Sequence, residues 1–157
     1  WQKRMPFFQV NSFGVMDEKV NGLLTRLPEV ENKVPKPDII LIMSGINNVV
    51  EHDYTFVNEL RRILIRLTNR FPETEIIINS LPLARIPLVV DNAIHYLNID
   101  IKEMAAQTGS CYLDNFDIMA EKGESIFKQD GINLTPEAYD RWARSILEYV
   151  SFLFEDA

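Results

Sequence analysis

The sequence predicts an α/β protein, a three-layer α/β/α sandwich on a mostly parallel sheet, and three observations lead there. Segments with helical spacing of apolar residues alternate with short, continuous apolar runs, the pattern of strands joined by crossover helices. One of those runs, Asp38-Ile-Ile-Leu-Ile-Met43, has no polar alternation, as expected of a parallel strand covered on both faces. Finally, Thr135-Pro136-Glu137 is a strong helix start: a capping hydroxyl, a proline in the first turn, and an acid at the positive end of the helix dipole.

Taken in order, residues 7–10 form a short apolar strand candidate that ends at the Asn11-Ser12-Phe13-Gly14 turn. Residues 17 to about 30 read as a helix, with Val20, Leu23, Leu24 and Leu27 at core-facing spacing and Pro28 disturbing its end. The linker 33–37 holds two prolines and leads into the 38–43 strand, which is expected to be central. Residues 53–71 repeat Phe56, Leu60, Ile63, Leu64 and Leu67 at helical spacing, with Arg61, Arg62, Arg66 and Arg70 on a solvated face. A second buried strand is expected at 75–79, a helix at 91–107 terminated by Gly109, and a short strand at 111–113. The last helix runs from Thr135 to about Phe154, with Tyr139, Trp142, Tyr149 and Phe152 in or near the core. Right-handed crossovers then bring the loops after the strands to one end of the sheet, where sites of such folds collect.

Composition narrows the functional classes. The 157 residues suit a single domain, and a hydrophobic content of 46% supports a core. Sixteen basic against 23 acidic side chains leave a net charge of −7, which repels nucleic-acid phosphate and anionic membrane surfaces, so no nucleic acid and no membrane insertion are expected. The apolar runs are too short to span a bilayer, and no targeting segment opens the chain. The single cysteine, Cys111, excludes an internal disulfide and a multi-thiolate metal site, and reads as a small strand residue. Glu51, His52 and Asp53 are consecutive, and consecutive side chains rarely converge on one ion, so no metal and no cofactor are expected.

Two constellations could carry chemistry. Ser44-Gly45-Ile46-Asn47-Asn48 follows the 38–43 strand directly; the glycine permits a tight turn, and an asparagine amide there can donate to a developing oxyanion. Asp130-Gly131-Ile132-Asn133-Leu134-Thr135-Pro136 is a short loop ending in a helix cap, where an acid and a residue three positions on suit a base oriented by a carboxylate. Each alone is also an ordinary turn. Together with Ser80-Leu81-Pro82 between them, their order and spacing over residues 8–150 resemble the later sequence blocks of the SGNH (GDSL-type) hydrolases.

The resemblance implies an SGNH-hydrolase-like, flavodoxin-like fold and an esterase or acyl-hydrolase lineage. By position Asn47 takes the family's oxyanion-donor role, and Asn48 replaces the usual aspartate of that block. Asp130 matches the carboxylate that orients the family's base histidine, but Asn133 stands where that histidine should be. The Gly-Asp-Ser nucleophile block is absent, so the chain is expected to be one domain, 1–157, without its first strand and nucleophile. Gly14 is the nearest match to the second-block glycines, while Asp17 falls where the oxyanion glycine often sits. His52, in the loop after Asn47 and Asn48, is the candidate substitute base; His95 lies within a helical segment. The expected partner is a small-molecule ester or acylated carbohydrate, turned over slowly or not at all. The alternative is a non-catalytic ligand- or carbohydrate-binding module on the same fold, its crevice lined by Asn47, Asn48, Asp130 and Asn133.

Overall fold

The computed structural model of the chain describes residues 1–15, 17–82, 86, 89, 92–115 and 134–155. Its elements are α1 (Val20–Lys33), β1 (Ile39–Ile42), α2 (Ile46–Val50), α3 (Phe56–Arg70), β2 (Glu75–Asn79), α4 (Ala93–Thr108), β3 (Cys111–Leu113) and α5 (Pro136–Glu155). The strands form one parallel sheet in the order β1-β2-β3, with Ile42 opposite Ile78 and Asn79 opposite Leu113.

The layers follow from the two-residue period of β2. Ile76 and Ile78 face one way, into a core with Val20 and Leu27 of α1, Leu60, Ile63 and Leu64 of α3, and Ile101 and Met104 of α4. Ile77 faces the other way, into a second core with Leu113, Met5 and Ala138, Trp142, Ala143, Ile146 and Val150 of α5. Helices therefore cover both faces, as the sequence predicts. Because the strand order runs in one direction, successive right-handed crossovers place α3 and α4 on the same face.

α5 runs antiparallel to the strands. Trp142 near its start bonds Asn79 at the carboxyl end of β2, whereas Tyr149 bonds Cys111 at the beginning of β3. Burial first, then the Cys111 thiol, pushes the Tyr149 hydroxyl up to about 12. Cys111 is half-buried on its strand, away from the loops at the other end. The capping signal at Thr135 is realised: its hydroxyl accepts from the Ala138 N–H at 3.3 Å. Gly109 closes α4 with a left-handed φ of +72°, as expected.

The structure departs from expectation in four places. Residues 7–10 are not a strand: Gln2 takes up the backbone groups that a ladder would use, donating to the Met5 and Phe8 carbonyls and accepting from Val10 N–H at 2.8 Å. Phe7 is left 95% exposed, so its apolar character never met a core. Helix α1 continues through Pro28 to Lys33, because the turn beyond the proline is held by buried Glu31, which accepts from Arg66 at 2.7 and 3.2 Å. Arg66 makes that pair while staying on the exposed face expected of it. Among the described residues β1 lies at the sheet edge rather than its centre, with Leu41 36% exposed. A continuous apolar run reports that both faces can be covered; it carries no information about the hydrogen-bonded neighbours to either side. Phe152, placed near the core, is exposed.

Candidate active site

The loop after β1 is shaped by Gly45. Its φ of +125° is closed to residues with a side chain, and a Cβ there would run into the Phe56 ring. Phe56 is fully buried at the start of α3, so the glycine lets the β1 exit pack directly on that ring. The chain then turns at once into the short helix α2, whose first bond joins Val49 N–H to the Gly45 carbonyl at 3.1 Å.

Asn47 and Asn48 are neighbours on α2 and so point in different directions, about 100° apart on a helix. Asn47 is half-buried, and its amide donates to the Glu18 carbonyl at 3.1 Å, which fixes the side chain against the segment entering α1. A primary amide carries two N–H groups, so this bond leaves one of them for another acceptor. Asn48 is instead turned into the interior. It is 1% exposed; its Oδ1 accepts from Val20 N–H at 3.0 Å and its Nδ2 donates to Asp53 Oδ2 at 3.0 Å. It ties the first turn of α1 to the α2–α3 corner.

Asp53 is itself held by the Thr55 hydroxyl at 2.7 Å and the Thr55 N–H at 3.0 Å. These donors, the hydroxyl foremost and then the Asn48 amide, hold its carboxyl below the usual carboxylate range. An exposed Lys19–Glu51 pair at 2.8 Å adds a third stitch between the two segments. Its energetic worth is small because both side chains are solvated.

His52 sits in the exposed turn after α2 with φ +60°; its Nδ1 lies 3.5 Å from the Tyr54 hydroxyl rather than against a carboxylate. It shares a segment with Asn47, but among the described residues it is not bonded to the orienting acid that a general base ordinarily has. Gly14 is exposed and a Cβ there would touch nothing within 4 Å, so neither packing nor backbone demands glycine. The left-handed residue of this segment is instead Asp17, at φ +60°, immediately before the Glu18 whose carbonyl holds Asn47. Asp17→Gly is expected to raise stability by about 0.5 kcal/mol, since relief of the left-handed cost slightly exceeds the extra chain entropy of glycine. Urea denaturation of the two proteins reads this directly, and a loss of stability would mean that Asp17 makes a compensating contact.

Asp130 and Asn133 lie outside the described residues. Their flanks do not: Asn115 precedes that segment and Leu134 and Thr135 follow it. Asn115 and the α5 residues Trp142 and Ser145 belong to a buried polar cluster that sequence reasoning did not single out. Asn79 accepts from Asn115 Nδ2 at 2.6 Å and Trp142 Nε1 at 2.9 Å, and Ser145 donates to Asn115 Oδ1 at 2.9 Å. Nearby, Asn98 of α4 bonds both the N–H and the carbonyl of Leu81, at 2.7 and 3.1 Å, and so anchors the start of the loop after β2. The available signal was an asparagine ending the otherwise apolar run Ile76-Ile77-Ile78-Asn79, a residue type that enters a core only when it is fully bonded.

No curated protein sequence matches the chain. Among solved structures it is similar to a lipase/acylhydrolase from Enterococcus faecalis, with a TM-score of 0.72 and 19% identity over 85% of this chain and 71% of that one. It is also similar to an acetylxylan esterase from Geobacillus stearothermophilus, with a TM-score of 0.74 and 19% identity over 94% of this chain and 75% of that one. At such identity these likenesses establish a shared fold. The family model of the GDSL-like lipases and acylhydrolases matches residues 1–141, nearly the whole chain and both of the loops that the sequence motifs marked; the chain belongs to the GDSL-like lipase/acylhydrolase family.

Proposed function

We propose that this chain forms the oxyanion-binding part of a serine-type carboxylic ester hydrolase that acts on a small ester, such as an acetylated carbohydrate, and that turns over slowly. The observation that carries this reading is Asn47: its side chain is fixed by the Glu18 carbonyl at the carboxyl end of β1, with one amide hydrogen used and one left. A donor immobilised before the reaction costs no reorganisation when charge develops on the carbonyl oxygen, which is what oxyanion stabilisation requires.

In this reading a serine from sequence preceding Trp1 attacks the ester carbonyl, and Asn47 donates to the resulting oxyanion. Asp130 is the orienting carboxylate, while Asn133 stands in the base position. An amide cannot take a proton from the serine near neutral pH and return it to the leaving alkoxide, so the slow step is proton transfer. His52 is the substitute base closest in sequence to Asn47.

The test compares the protein extended to include its upstream sequence with the same protein carrying Asn133→His, using p-nitrophenyl acetate. The expected result is near-background turnover for the first and an increase of about 10²-fold in kcat/KM for the second, the usual contribution of a positioned base. A fully active native protein whose activity survives His52→Ala would show that another group takes the proton.

The second reading, a ligand-binding module without turnover, is favoured by Asn133 itself, which keeps hydrogen-bonding capacity at the base position while losing the chemistry. Titration calorimetry with an acetylated xylo-oligosaccharide separates the two. Saturable binding together with no gain from Asn133→His supports the module.

A further inference from the structure

We propose that Arg26 is a positioning residue that sets the Asn47 amide through the segment around Glu18, an inference that rests on the ester-hydrolase reading above. Arg26 lies on α1 and reaches back over the chain that enters its own helix. Its Nε donates to Glu18 Oε2 at 2.8 Å and its Nη2 to Glu18 Oε1 at 2.9 Å, while Nη2 also donates to the Phe13 carbonyl at 2.7 Å. One guanidinium thus fastens both ends of the loop 13–18. The carbonyl of that same Glu18 is the acceptor that fixes Asn47 Nδ2 at 3.1 Å.

Apolar packing does not hold this loop. Among its described residues, Phe13 and Val15 are the apolar side chains; neither joins a core, and Val15 is exposed. Asp17, immediately before Glu18, carries a φ of +60°, so the backbone there is not in a conformation it would choose alone. The Glu18–Arg26 pair, by contrast, is largely shielded from solvent. Helix α1 also makes room for it. A Cβ on Gly22 would come within 3.0 Å of Glu18 Cγ and 3.4 Å of its Oε2, so the Glu18 side chain lies across the glycine. Glycine within a helix costs stability relative to alanine, and that close approach is the reason for one here. Two parallel N–H bonds from one planar group fix the direction of a carboxylate as well as its distance, which a lysine ammonium cannot do. The fork therefore orients Glu18, Glu18 presents its carbonyl to Asn47, and Asn47 is held before any charge develops, as an oxyanion donor must be.

The experiment follows the side-chain amides by nitrogen-15 NMR in the chain and in Arg26→Lys, which keeps the charge and loses the fork. Exchange of the Asn47 amide protons with water should speed up by about fivefold, while the Asn48 amide, bonded to Asp53 Oδ2, keeps its rate. In the extended protein carrying Asn133→His, Arg26→Lys should lower kcat by about tenfold with KM within about threefold. That is less than loss of the donor itself, because Asn47 is still present but no longer held. Unchanged Asn47 exchange overturns the proposal, and so does equal acceleration at Asn47 and Asn48, which is general loosening. Faster Asn47 exchange with native kcat overturns it too, since the clamp then serves only the fold. If Arg26→Lys fails to fold, Glu18→Gln decides: it keeps the side chain's shape but turns one acceptor of the fork into a donor, and native Asn47 exchange in that variant rejects the clamp. If the Asn133→His protein itself shows no turnover, the ester-hydrolase reading fails, and the exchange rates alone decide whether Arg26 sets Asn47.

Discussion

Gly45→Ala is expected to destabilise the protein by about 2 to 6 kcal/mol, the sum of two penalties of about 1 to 3 kcal/mol each. The first is conformational, because φ at position 45 is +125° and a residue with a Cβ is strained there. The second is steric: the added methyl would meet the Phe56 ring, which is fully buried and walled in by α3. Neither can be relieved cheaply, since moving the ring opens the core and moving the backbone breaks the first bond of α2. Gly109→Ala is the natural control, with φ +72° but no atom within 4 Å of the place a Cβ would occupy. It should cost only the left-handed term, about 1 to 2 kcal/mol. Urea midpoints of the three proteins at constant m-value check this. Equal losses at the two glycines would show that the Phe56 ring is not a wall.

Asn47→Ala is expected to lower kcat by about 10² to 10³-fold, the usual effect of removing one oxyanion donor, with little change in KM. The measurement belongs in the extended Asn133→His protein, where turnover is large enough to follow the loss. The charge on the carbonyl oxygen develops only in the transition state, so a donor aimed at it affects kcat and not ground-state binding. The same change removes the bond to the Glu18 carbonyl, and its effect on stability should stay near 1 kcal/mol because that acceptor lies at a half-solvated loop. A rise in KM with unchanged kcat would instead make Asn47 a substrate-binding residue of the ground state. A large loss of stability would make it structural, as Asn48 is.

The contrast between these two asparagines marks where sequence reasoning stops. Asn47 and Asn48 are the same residue type on the same loop, and a linear motif treats them as a pair. The turn of α2 separates them, sending one to the half-buried edge and the other inward to Val20 and Asp53. Gly14 and Asp17 show the reverse problem. Gly14 is the nearest sequence match to the second-block glycines, yet the positive φ of this segment falls on Asp17.

By itself the sequence determined the alternation of strands and helices, the caps at Thr135 and Gly109, and the glycine-led loop after β1, because each depends on local periodicity or on backbone chemistry within a few residues. Family membership was legible for a related reason: several short blocks in a set order and spacing are specific even when each block is weak. Only the tertiary structure decided that β1 has a single strand beside it among the described residues, that Gln2 keeps residues 7–10 out of the sheet, and that Asn79 joins three distant segments. Those outcomes rest on hydrogen bonds between groups 8 to 63 positions apart, for which local periodicity has no signal.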